Sequence, residues 1–187
     1  MFGLKVVVAS ASIELATRVQ QLFANNKLRV YTTTDVTGVE LGGALKNVFA
    51  IAAGVLQGMG FGKNSMAALI TRACSEMRKL ALAMGANPVT IAGLSGVGDL
   101  MLTCYGKASR NRTVGERLGQ GESLQDVMSS MTEVAEGVFT TPAAVTLAKQ
   151  YNLDLPIIFA VGAILDGSIT AMDALKQLMT RPQSYED

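Results

Sequence analysis

Lys46 is the only charged side chain in the 22 residues from Leu41 to Gly62, and Asn47 stands directly beside it. A lysine in so apolar a segment either snorkels its ammonium to water from a helix edge or is held at a site that uses it. Desolvation lowers a lysine pKa from about 10.4 toward the range where the amine exchanges protons near neutrality. Lys46 is therefore a candidate acid/base group. The chain has no histidine, which removes the commonest general base, the Ser-His triads and the usual zinc ligands. Proton chemistry must run on Lys, Asp, Glu, Tyr or Cys. Cys74 and Cys104 have no CxxC spacing and read as reduced, unpaired thiols, so no metal site is expected.

A second group lies in Gly98-Asp99-Leu100-Met101-Leu102-Thr103-Cys104 and Ser109-Arg110-Asn111-Arg112. Asp99 and Thr103, four apart, share a face if this stretch is helical. Arg110 and Asn111 combine a planar guanidinium fork with an amide donor, a pairing suited to phosphate, although an Arg-rich helix start also describes an ordinary solvated surface. Two glycine clusters carry less. In Gly58-Met59-Gly60-Phe61-Gly62-Lys63-Asn64-Ser65, Gln57 and Asn64 stand where a P-loop needs Gly and Ser/Thr. Gly93-Leu94-Ser95-Gly96-Val97-Gly98 follows a helix start rather than a strand, so it reads as a tight turn and not as a dinucleotide fingerprint.

The elements that must position these residues fall into two parts. Residues 5–9 read as a fully buried strand, 12–24 as a helix capped by Ser10 or Ser12, and 28–31 as a second strand. From Val36 the pattern is helical: a long helix from Gly38 to about Gln57, and another from Ser65 to Met84 ended by Gly85. Asn87-Pro88, Ser123-x-x-Asp126, Thr141-Pro142 and Thr170-x-x-Asp173 mark further helix starts. The expected fold is mainly α, a multi-helix substrate domain at 36–187 behind a short β-α-β remnant of a dinucleotide-binding domain at 1–35. Two strands and a helix cannot form a stable sheet alone, so the head looks like the end of a larger α/β domain.

The order and spacing of Val39-Glu40-Leu41-Gly42-Gly43-Ala44-Leu45-Lys46-Asn47-Val48, Gly96-Val97-Gly98-Asp99-Leu100 with Thr103-Cys104, Ser109-Arg110-Asn111-Arg112 and Val134-Ala135-Glu136-Gly137 resemble the NAD(P)-dependent glycerol-3-phosphate dehydrogenases. The likeness is to the carboxyl-terminal portion of that family, bacterial and plastid type, over residues 4–180. It implies reversible hydride transfer between dihydroxyacetone phosphate and sn-glycerol 3-phosphate, with NAD or NADP as cofactor. It further implies that Lys46 is the acid/base lysine and Asp99 its catalytic partner. Asn47, Asp99, Thr103, Ser109, Arg110 and Asn111 match substrate contacts together with Lys46; Arg110, Val134 and Glu136 match cofactor contacts.

No strand-Gly-x-Gly-x-x-Gly-helix unit occurs in the chain. By the usual size of such domains, about 130 to 150 residues of a dinucleotide-binding domain are expected ahead of Met1. The expectation is thus a partial chain, inactive by itself. A helical interaction module without catalysis, or a related hydroxyacid or sugar-acid dehydrogenase domain, is the alternative.

A formal net charge of +1 leaves no basic excess for nucleic acid. The apolar runs 48–62 and 155–165 fall short of the roughly 18–20 residues of a membrane span. Expected partners are a small phosphate-bearing substrate and, among proteins, a second copy of the chain in a homodimer. No charged-then-apolar leader opens the sequence, which places the chain in the cytoplasm, with the plastid as the alternative.

Overall fold

The computed structural model describes residues 3–182. The head is strand β1 (Leu4–Ala9), helix α1 (Ile13–Phe23) and strand β2 (Leu28–Thr33), with the strands parallel and Leu4 opposite Leu28. Ser12 caps α1 by accepting from the Leu15 N–H at 3.3 Å, while Ser10 accepts from the Ser12 N–H. β1 is not the buried strand expected: Leu4 is 75% and Val6 41% exposed, and Leu22 and Phe23 of α1 face out as well. Among the described residues the sheet has only these two strands. The pattern of a fully covered parallel strand is present, but its cover is not.

At Asp35 the chain turns from strand to helix. Its carboxylate accepts from the Gly38 N–H at 2.9 Å to cap α2 (Val36–Gly58), and from the Asn87 N–H at 2.9 Å to tie in the start of α4 (Pro88–Ala92). Between them lies α3 (Lys63–Ala83), two residues earlier in its start than its periodicity suggests. It closes with Gly85 at φ +79°, the Ala86 N–H bonding to Ala81 and the Gly85 N–H to Leu82. That is the Schellman arrangement, which needs a left-handed residue at this place. The helices that follow are α5 (Asp99–Tyr105), α6 (Arg110–Gly119), α7 (Leu124–Ser130), α8 (Glu136–Gln150), α9 (Pro156–Leu165) and α10 (Ala171–Met179). Residues 94–98 form a π-helical turn leading into α5.

Helix α2 is the axis of the fold, with α3, α5, α6, α8 and α9 packed around it. Leu45, Val48, Phe49 and Ile51 are shut off from water. By length and composition α2 could cross a membrane, which corrects the reading of run 48–62; 67% of its most apolar stretch is buried inside the fold. Its closest neighbour is α6. A Cβ on Gly54 or Gly58 of α2 would run into the Arg112 or Glu116 carbonyl, and one on Gly115 or Gly119 of α6 into the Ile51 or Val55 carbonyl. Two pairs of glycines four residues apart thus let the backbones touch, and the contact partners advance together along both helices. α2 and α6 therefore run in the same direction, which sets the α6 amino end beside Asn47.

Two of the helices without a local side-chain cap are capped from another helix. Leu155 precedes α9 and cannot accept a hydrogen bond with its side chain; buried Glu76 of α3 accepts from the Ile157 N–H at 2.7 Å and the Ile158 N–H at 3.1 Å instead. Ala135 precedes α8, and there Asn111 of α6 accepts from the Gly137 N–H at 2.8 Å. Helix α8 consequently begins at Glu136, not at Thr141-Pro142 as expected. Pro142 lies inside it, and the Thr141 hydroxyl, read as a cap, donates to the Gly137 carbonyl at 2.6 Å.

Candidate active site

The amino half of α2, the starts of α5, α6 and α8, and the segment before α8 converge on one face. Lys46 leaves α2 and forms an ion pair with Asp99, the first residue of α5, their side chains 25% and 31% exposed. The lysine is neither fully desolvated nor free at a helix edge. A partner fifty-three positions away holds its ammonium at the surface of the core. What lets α5 come this close is small residues: a Cβ on Gly42 would collide with the Ser95 carbonyl, and one on Gly96 with the Ile91 carbonyl. Turn 94–98 is thus the close backbone approach that its glycines suggest. Thr103, one turn after Asp99, donates its hydroxyl to the Asp99 carbonyl at 2.7 Å, so both share the expected face.

Ser109 caps α6, accepting from the Arg112 N–H at 3.3 Å. Arg110 is half exposed and faces Glu133 of the loop before α8, guanidinium to carboxylate 3.5 Å. Asn47 and Asn111 are buried and joined: Asn111 Nδ2 donates to Asn47 Oδ1 at 2.9 Å, and Asn47 Nδ2 donates to Glu136 Oε2 at 3.2 Å and to the Gly43 carbonyl at 3.3 Å. Asn111 thus has its oxygen and one N–H engaged inside the protein. Glu136 and Val134, the latter 57% exposed, border an open cleft of 510 Å³ shared with Gly43, Ala44, Asn47, Phe139 and Thr140.

Two residues of this region have roles that no motif assigned. Arg112, next to the two residues singled out, is buried and donates to the Gly106 carbonyl at 3.2 Å and to Gln57, with Glu116 3.8 Å away. It ties the α5–α6 turn, and with it Ser109 and Arg110, to α2. Its only sequence signal is proximity to Gly115, whose lack of a side chain brings α6 onto α2. Glu133 meets Arg110 only through the path of the loop and has no local signature. The thiols fit no chemistry here: burial pushes Cys104 up to about 12 and raises Cys74 as well. Two larger hollows, one within the head beside Lys5 and Arg29 and one between the ends of α6 and α9 and the start of α10, contain none of these polar groups.

A family profile described as NAD-dependent glycerol-3-phosphate dehydrogenase C-terminus matches residues 35–176. The chain is 56% identical over 181 residues to glycerol-3-phosphate dehydrogenase [NAD(+)] 2, chloroplastic, of Arabidopsis thaliana, covering 97% of this chain and 43% of that protein. It is 53% identical over 181 residues to the glycerol-3-phosphate dehydrogenase [NAD(P)+] of Geobacter metallireducens, covering 97% and 54%. The crystal structure of glycerol-3-phosphate dehydrogenase from Coxiella burnetii superposes with a TM-score of 0.91 at 34% identity, over 96% of this chain and 55% of that one. The chain therefore spans about half the length of the curated relatives it matches. On the profile match and these likenesses, the chain belongs to the family of NAD(P)-dependent glycerol-3-phosphate dehydrogenases, as its carboxyl-terminal, helical part.

Proposed function

We propose that this chain is the substrate-binding part of an enzyme that reversibly reduces dihydroxyacetone phosphate to sn-glycerol 3-phosphate, with residues 1–35 belonging to the nucleotide domain and 36–187 to the substrate domain. The observation that carries the reading is the Lys46–Asp99 ion pair, about a quarter to a third exposed to solvent beside Asn47 and the α6 amino end. Reduction of a ketone puts negative charge on its oxygen, and a nearby ammonium stabilises that charge and delivers the proton. In the reverse direction the neutral amine takes the hydroxyl proton. Asp99 orients Lys46, and Thr103 completes that wall. Arg110, at the start of α6 with Ser109 and Asn111, meets the phosphate, and the dipole of α6 adds to its attraction. Asn47 lies between the two ends of the substrate.

The bound dinucleotide supplies or accepts the hydride. The residues at the cleft fit one side of a nicotinamide: exposed Val134 and Phe139 offer apolar surface for a flat ring, and Glu136 offers an acceptor for amide N–H groups. Arg110, the first residue of α6, faces the segment before that cleft through Glu133. For location, two plant relatives are named chloroplastic and others come from bacteria; we place the protein in the cytoplasm, with the plastid as the alternative, and include a homodimer in the proposal. The test is NADH oxidation by the chain joined to the amino-terminal portion of the Arabidopsis relative, with dihydroxyacetone phosphate against unphosphorylated dihydroxyacetone. Turnover that requires the phosphate supports the reading, and equal turnover of both ketones contradicts it.

A further inference from the structure

The Asn111–Asn47–Glu136 chain has a polarity that both of its ends enforce. At one end a backbone N–H, that of Gly137, can only donate, so Asn111 presents its oxygen there and its NH2 group to Asn47. At the other end a carboxylate, that of Glu136, accepts, so Asn47 presents its NH2 group there and its oxygen to Asn111. Each middle residue must therefore be acceptor on one side and donor on the other, which an amide is and a carboxylate is not. Both amides are buried, 6% and 7% exposed, where a mismatched pair would have no water to repair it. The backbones leave no slack either: a Cβ on Gly137 would stand 2.6 Å from the Asn47 carbonyl oxygen.

We infer that Asn47 and Asn111 are positioning residues that fix Glu136 and the first turn of α8 on α2, so the nucleotide side of the site is set from the α6 start that carries Arg110. The inference rests on the proposed function for the role of Glu136 toward the nucleotide; the hydrogen-bonded relay itself does not. Asn47 and Asn111 thereby do more than line the substrate site. Asn111 replaces the missing cap of α8, and Asn47 carries its placement on to the Glu136 side chain.

The test is a polarity swap. Asn47→Asp sets a second carboxylate against Glu136, whereas the double variant N47D/E136Q restores a donor facing an acceptor with the direction reversed. In the 187-residue chain, N47D lowers Tm and the added E136Q recovers the part of that loss owed to the Glu136 contact, the bond to the Gly43 carbonyl staying lost, because the two changes are coupled. In the completed enzyme, N47D raises the KM for NADH about tenfold, the scale of a lost hydrogen bond to a charged group, with a smaller change in kcat. In the E136Q background the same substitution has little effect on that KM. If N47D does not fold, the cycle between Asn47→Ala and Glu136→Ala reads the same coupling. Additive Tm losses would overturn the relay, and coupled Tm values with an unchanged NADH KM would overturn its role in placing the nucleotide side. A completed enzyme without dihydroxyacetone phosphate turnover would count against the proposed function and leave the Tm cycle to decide the relay.

Discussion

Arg110 and Lys46 look alike in the sequence as cations beside an asparagine, and the fold treats them differently. Lys46 has a partner on another helix that is part of the same surface, whereas Arg110 faces Glu133 across 3.5 Å with both side chains about half exposed or more. An exposed pair of this kind contributes only about 0–1 kcal/mol, so a phosphate dianion can replace the Glu133 carboxylate at little cost. Arg110→Ala in the completed enzyme is expected to lower kcat/KM for dihydroxyacetone phosphate by about 1.5–3 kcal/mol, the scale of a charge-assisted hydrogen bond. Unphosphorylated dihydroxyacetone should lose far less. Equal losses on both ketones, with circular dichroism unchanged, would remove Arg110 from the phosphate site. At this scale the sequence was informative about residue types and poor about their partners. Lys46, Asp99 and Arg110 stand out by charge and spacing, but Glu133 and the burial of Arg112 depend on where loops and helices meet.

Helix starts show the same division. Ser12, Asn87, Ser123 and Thr170 cap the helices that directly follow them, and each was legible because donor and acceptor are two or three residues apart; Asp35 caps α2 in the same way but reads as part of a polar turn, with the helix expected from Gly38. The starts of α8 and α9 were not legible, since Asn111 and Glu76 reach them from other helices. Burial raises Glu76 to about 7 against the bonds from Ile157 and Ile158, Asp154 adding to the rise and Arg72 opposing it. With a folded pKa above the usual 4.5, the folded chain keeps a proton that the unfolded chain has lost between about pH 4.5 and 7. Stability from this group is therefore full below that window and falls as pH rises through it. Urea midpoints should show the wild type losing more stability than Glu76→Gln from pH 4.5 to 7.5, by an amount on the order of 3 kcal/mol. Parallel pH profiles would contradict the shift.

The α2–α6 contact belongs to the same scale and was hidden, because glycines four apart read as breakers or as nothing until two helices are laid together. Gly115→Ala should cost about 1–3 kcal/mol through overpacking against the Ile51 carbonyl. Gly43→Ala in α2, where a Cβ meets nothing within 4 Å, should be neutral or stabilising by up to about 1 kcal/mol. Chemical denaturation of the two variants checks the pair, and similar losses in both would leave the close approach unsupported.

Taken whole, the molecule is a helical body with one polar face and a two-stranded head on which Leu4, Val6, Leu22 and Phe23 stay exposed. The mainly helical class was legible from periodicity over most of the length, and the β-α-β head from its strand pattern. Exposure of β1 was not, because a hydrophobic run states what a strand would bury and not whether anything covers it. The sequence has no strand-Gly-x-Gly-x-x-Gly-helix unit, the turn that holds a dinucleotide pyrophosphate. Calorimetry on the 187-residue chain should accordingly show weak or undetectable NADH binding, and micromolar affinity would mean that the α8 cleft binds the nucleotide by itself.

The proposed chemistry rests on Lys46, and its most direct test is turnover of dihydroxyacetone phosphate by the completed enzyme with Lys46 or with Lys46→Met. An acid/base role predicts a loss in kcat of about 100-fold or more, with NADH affinity retained. Near-normal kcat in Lys46→Met would contradict that role and return Lys46 to a lysine that only borders an apolar helix.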